Sequence, residues 1–107
     1  MTSKEFVELF YVEKKEILKR YFNNPRGTKV SSEIDGLGLT TEQMVKMQSI
    51  LNTVITDVMY TILLGLDGEA SIGNVQQTYE LYDESGSKLT DCGEIEAYAY
   101  EYFHEME

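Results

Sequence analysis

Large apolar residues recur at spacings of three and four between Thr40 and Leu66, and this stretch organises the chain. Met44, Met47, Leu51, Val54, Ile55, Val58, Met59, Ile62, Leu63 and Leu66 fall along one helical stripe, while Gln48, Asn52, Thr56 and Asp57 fall mostly opposite. Thr40 and Gln43 have the spacing of a capping box, in which each side chain satisfies a free amide of the first turn. The run of Thr53, Val54, Ile55, Thr56, Val58, Thr61 and Ile62 is β-branched and loses rotamer freedom in a helix, which leaves open a break into a strand near Asn52. The periodicity favours one long helix. A second box, Thr2 with Glu5, opens an amphipathic helix through Phe6, Leu9, Phe10, Ile17, Leu18, Tyr21 and Phe22. Asn23, Asn24, Pro25, Arg26 and Gly27 stop it, because proline excludes helical geometry from the residue before it. Residues 28–39 read as a polar connecting loop anchored by Ile34, Leu37 and Leu39, with Ser31, Ser32, Glu33 and Asp35 exposed.

Past Leu66 the period changes. From Val75 to Tyr82, Gln77, Tyr79 and Leu81 alternate with Thr78, Glu80 and Tyr82, which predicts a half-buried strand; residues 83–87 supply the turn and Lys88 to Thr90 the returning strand. Ala70 to Ile72, before Gly73-Asn74, is a candidate third strand. Residues 93–107 fit either an alternating strand or a helix that buries Ile95, Tyr98, Ala99, Tyr102, Phe103 and Met106; the helix, with Asp91 as its cap, is favoured because it clusters Glu94, Glu96, Glu101 and Glu105 away from the apolar residues. The expected fold class is therefore α+β: a single domain over 1–107 with two long helices, a β-hairpin and a C-terminal helix.

Composition narrows the function. A chain of 107 residues with 42% hydrophobic and 11% aromatic residues can bury one core. Nine basic against nineteen acidic residues give −10, which argues against nucleic acid. From Val30 onward, Lys46 and Lys88 face fifteen carboxylates, a net of −13, so one part of the molecule is strongly anionic. The basic cluster Lys14, Lys15, Lys19 and Arg20 is interleaved with glutamates and reads as a solvated helix face rather than a phosphate site. The N-terminus has no basic region followed by an apolar run, and no segment reads as long, apolar and uncharged enough for a membrane, so the expected compartment is the cytoplasm without membrane attachment. Cys92 is alone and reads as a small packed residue.

Candidate chemistry is sparse. Asp83 to Glu94 has the length of an EF-hand loop, with Asp83, Ser85, Ser87, Leu89, Asp91 and Glu94 at the liganding positions, but Lys88 stands where the loop needs glycine. Glu101 and His104 have the spacing of a helical metal motif that needs a second copy to complete a site. Asp67 and Glu69 read either as an acid–base pair or as solvated turn residues. No cofactor is implied. The remaining feature is an acidic surface rich in tyrosine, for which Glu80, Tyr82, Asp83, Glu84, Glu96, Tyr100 and Glu101 are the candidate partner-binding residues. Tyrosine buries area while keeping a hydrogen bond, and carboxylates around it steer cationic partners.

The segment Leu63 to Glu105, with its turn over residues 66–71 and its end Glu101-Tyr102-Phe103-His104-Glu105, resembles small acidic bacterial proteins of the toxin-immunity type. That resemblance implies a bacterial cytoplasmic protein acting as an anionic plug for a basic toxin, and it carries over no individual site residue. The expected function is a non-enzymatic acidic protein that blocks a basic protein partner. Two alternatives stand beside it: a small self-associating structural or regulatory subunit, possible as a homodimer, and a calcium-binding module built on residues 83–94.

Overall fold

The structure, a computed structural model, describes residues 1–90 and 93–106. Among the described residues four α-helices form: α1 (Ser3–Asn23), α2 (Lys29–Asp35), α3 (Thr41–Leu66) and α4 (Glu94–Tyr100), the last continued by a π-helix over Glu101–Glu105. By length and composition α3 could cross a membrane, contrary to the expectation that no segment would. Both capping boxes close reciprocally. Thr2 N donates to Glu5 Oε1 at 2.9 Å and Glu5 N to Thr2 Oγ1 at 3.1 Å; Thr40 N donates to Gln43 Oε1 at 2.9 Å and Gln43 N to Thr40 Oγ1 at 3.1 Å. The β-branched run does not break α3, which is helical throughout.

The chain divides into two compact units, residues 1–11 with 56–107 and residues 12–55. In the first, Val7 of α1, Leu63 of α3, Ile95 and Ala99 of α4 and Phe103 of the π-helix are buried together. The last three are spaced by four, so they stack on one helical face. Phe6, Phe10, Tyr11, Met59, Tyr98 and Tyr102 pack partly buried around them. Tyr11 meets Phe103 edge-on with ring centroids 5.8 Å apart, the favoured aromatic geometry. Met106, expected inside, is exposed.

The expected α+β class is overturned: the structure is 63% helix and 4% strand, and among the described residues there is no sheet or hairpin of paired strands. Residues 75–80 are exposed without alternation, so no face of this segment is buried, and an isolated two-stranded ribbon without an apolar face is marginal in water. Among the described residues two isolated bridges remain, Ile72 with Val75 and Tyr82 with Lys88. At the first, Gly73 (φ 59°) and Asn74 (φ 67°) both adopt left-handed geometry, as a tight two-residue turn requires. At the second, Leu89 N donates to Leu81 O at 2.7 Å, but Leu81 N donates to the Thr90 hydroxyl instead of a strand carbonyl. A side chain thus takes the place of the ladder.

This segment is held by polar contacts. Ser3 Oγ donates to Leu89 O at 2.7 Å, and the Met1 amine contacts Asp83 Oδ2 at 2.8 Å. Gly65 is buried within α3, where a Cβ would run into the Ile72 side chain, so its absence admits that residue.

In the second unit the expected loop over 28–39 contains α2. Thr28 caps it by accepting from Ser31 N at 3.0 Å, and the buried Ser31 hydroxyl donates to Arg20 O. The expectation of a solvated basic face holds for Lys15, Lys19 and Arg20 but fails for Lys14, which is buried at 1% exposure. Loss of hydration lowers its pKa, and the charge of Lys15 lowers it further. The assignments of Asp91 as a cap and Cys92 as a packed residue lie outside the described residues.

Truncating Phe103 to alanine removes the largest apolar side chain of the first unit's core and is expected to cost about 3–5 kcal/mol. The same truncation of exposed Met106 is expected to stay within about 0.5 kcal/mol. Urea unfolding of both variants checks the contrast.

Candidate functional site

The seven candidate residues fall into two groups within the first unit. Glu80, Tyr82, Asp83 and Glu84 lie along the irregular segment before α4, whereas Glu96, Tyr100 and Glu101 lie on α4 and the π-helix. Within the first group, Tyr82 is 52% exposed and Glu84 is open to solvent. Glu80 Oε1 lies 3.5 Å from Lys88 Nζ, an exposed pair of small energetic value.

Asp83 is not a free docking carboxylate. Its Oδ1 accepts from Ser85 N at 3.0 Å, Ser85 Oγ at 2.8 Å and Ser87 N at 2.9 Å, while Oδ2 faces the Met1 amine. The hydrogen bond from that amine, then those from Ser85 and Ser87, hold its pKa well below the ordinary carboxylate range. Asp83 therefore organises the turn that presents Tyr82 and Glu84. Of the other residues proposed as calcium ligands, Leu89 O and Glu94 Oε2 both accept from Ser3 Oγ, at 2.7 and 3.2 Å. Among the described residues no group of three or more His, Cys, Asp or Glu side chains is arranged to hold a metal ion.

The second group has neighbours that the sequence did not connect. Asp67, just past α3, accepts from Glu96 N through Oδ2 at 3.0 Å and so satisfies a first-turn amide of α4 from a distant part of the chain. Gly93 precedes the helix in left-handed geometry (φ 76°) and makes no side-chain cap of its own. Asp67 and Glu69 are thereby brought toward Glu96. Loss of hydration raises the Glu96 pKa, and the charge of Glu69, a hydrogen bond with it and the charge of Asp67 raise it further. Tyr60 of α3 meets His104 edge-on at 4.3 Å between centroids, and exposed Tyr100 lies 5.5 Å from the same imidazole. Desolvation, then the Glu96 charge, raises the Tyr60 pKa.

Carboxylates gathered beside tyrosine rings favour a cation, through direct charge and through the negative ring faces. The sequence carried no signal for this grouping: it offered Asp91 as the cap, whereas the acceptor on Asp67 lies 29 residues from the Glu96 amide that it takes. The π-helix carrying His104 had no signal in the apolar spacing, since 95, 99 and 103 fit an α-helix equally.

Glu96 and Asp83 should give opposite pH signatures. With its folded pKa raised above the ordinary 4.5, Glu96 makes stability fall as pH rises from about that value through the raised one. Glu96→Gln should match the parent below about pH 4 and exceed it at pH 7. Asp83, depressed from 3.8, contributes stability that is present above that pH and is lost as the pH falls further. Asp83→Asn should therefore be the less stable protein at pH 7, by a margin that shrinks below about pH 4. Urea midpoints measured at pH 3, 4 and 7 check both signs (about these values). No protein-family profile, curated protein or solved structure matches this chain, so its functional reading rests on the geometry above.

Proposed function

We propose that this is a non-enzymatic acidic binding protein that blocks a basic protein partner, in the manner of the toxin-immunity-type proteins it resembles. One observation carries the reading: charge is divided between the two units. In the sequence of the first unit, Lys4 and Lys88 stand against fourteen carboxylates, a net of −12; in the second, seven cations stand against five carboxylates, a net of +2. A charge needed only for solubility has no reason to collect in one unit, whereas a docking surface for a cation does. The field of such a surface accelerates encounter with a basic partner and selects against acidic ones.

Exposed Tyr82 and Tyr100 supply what charge lacks. Each is about half exposed beside carboxylates, so a partner can bury the ring while its lysines or arginines meet Glu84, Glu96 or Glu101. The site is then two patches, one on the turn that Asp83 organises and one on α4 with the π-helix.

The test is capture of basic proteins from a bacterial lysate on the immobilised full chain at low salt, followed by affinity measurement with the captured protein. Affinity is expected to fall steeply with ionic strength. Tyr82→Ala and Tyr100→Ala should each weaken binding by about 5- to 30-fold, corresponding to about 1–2 kcal/mol. Binding that ignores salt and both substitutions would refute the proposal.

A further inference from the structure

Between the turn at Gly73-Asn74 and the bridge of Tyr82 with Lys88, residues 76–80 run without turn or bend, and all of them are exposed. The stretch is pinned at both ends within the first unit. Gln76 Nε2 donates to Gly68 O, and Thr78 lies so close to Gly68 (φ 77°) that a Cβ there would meet its Cγ2 at 3.0 Å. At the other end, Leu89 N donates to Leu81 O at 2.7 Å and Asp83 N to Ser87 O at 3.0 Å. Residues 81 and 83 thus turn their backbone groups toward the chain's own return, and in a strand the alternate residues turn theirs the opposite way. Thr78, Glu80 and Tyr82 therefore line a straight outer edge whose backbone N–H and C=O groups make no hydrogen bond among the described residues.

We propose that this edge takes up a β-strand from an exposed sheet edge of a basic protein, which rests on the function proposed above and names how that partner is held. Two features point to a strand. Residues 75–82 have the alternation of one, yet the fold gives them only the short return through Ser87 and Leu89 on their inner side. A two-stranded ribbon is marginal in water, so a third strand laid along Thr78, Glu80 and Tyr82 supplies what this segment lacks. Main-chain hydrogen bonds to an open edge provide affinity whatever the sequence of the incoming strand, and its side chains provide selection.

Charge selects the occupant. A second copy pairing edge to edge would set one unit of net −12 against another. Glu80, in the middle of the edge, opposes such self-pairing, as charged residues on edge strands do. A basic strand meets the opposite field. Its lysines or arginines stand across from Glu80 and near Glu84, and opposite charges facing each other across strands are favourable. Glu80 is available for this, because its pair with Lys88 is long at 3.5 Å and exposed on both sides. Tyr82, 52% exposed on the same edge, offers its ring face to a cation.

The test follows amide hydrogen exchange of the full chain by NMR, with a synthetic peptide of about seven residues that alternates lysine with threonine, long enough to span the edge. Bound peptide should slow exchange at Thr78, Glu80 and Tyr82 by at least about tenfold and leave Gln77 and Tyr79 nearly unchanged. Thr78→Pro removes one outward N–H and should weaken peptide binding about tenfold, whereas Thr78→Ala keeps it and should stay within about twofold of the parent. Circular dichroism shows whether the proline variant folds; if it does not, the exchange pattern of the parent decides. Peptide that binds without slowing exchange at those three amides overturns strand addition and leaves the basic-partner reading standing, since that reading fails separately, through capture that ignores salt. Absence of peptide binding overturns the proposal. So does protection that arises without peptide and grows with protein concentration, which assigns the edge to a second copy.

Discussion

Burial of Ile95, Ala99 and Phe103 against Val7 and Leu63 is the constraint on which the first unit depends. These five residues come from α1, α3, α4 and the π-helix, so the elements are fixed by a core to which none contributes more than two residues. Burying each large member is worth about 1.5–3 kcal/mol, which exceeds any single exposed hydrogen bond in the same unit. The segment between α3 and α4 adds buried Leu89 and Thr90, but residues 71–80 stay exposed. It takes its course from its ends and from polar stitches: Ser3 to Leu89, Met1 to Asp83, and Glu96 to Asp67. A segment held this way can present side chains without being rigid in the manner of a sheet. Glu80, Tyr82 and Glu84 are among the exposed residues that it presents.

The same stitches explain why the carboxylates of this unit are not equivalent. Asp83 is surrounded by donors and gains from being ionised; Glu96 has lost hydration beside Glu69 and Asp67 and loses by it. Asp67 spends one oxygen on the helix amide that Gly93 leaves without a side-chain acceptor. Net charge alone would treat all three as one anionic field. Their partners divide them into a residue that builds a turn, a residue that caps a helix and a residue whose repulsion a cationic partner would relieve.

What the sequence made legible was what depends on near neighbours. The capping boxes Thr2–Glu5 and Thr40–Gln43 close as their spacing implies, because both halves of each box lie within one turn. The alternation of residues 75–82 misled because alternation specifies a strand only where one face is covered, and nothing covers this one. Helix α2 was missed although Thr28 and Ser31 stand three apart, since a seven-residue helix has too little apolar pattern to register. Of the candidate site, Tyr82, Glu84, Tyr100 and Glu101 lie exposed as read. The role of Asp83 in its turn and the convergence of Asp67, Glu69 and Glu96 depend on contacts that no local spacing encodes.

Helix α3 shows where local pattern and fold diverge. Its apolar stripe, read from spacing, includes both Leu63, which is buried, and Val54 and Val58, which are exposed. Thr56, assigned to the polar side, is buried instead. A helix apolar on several sides satisfies a core with any of them, and the side chosen here is the one that places Leu63 against Ile95 and Phe103. The rejected side keeps its valines and isoleucines in water. Burying them against any apolar surface is favourable, so the same excess of apolar residues that makes α3 easy to recognise as a helix also leaves it with a second face to satisfy.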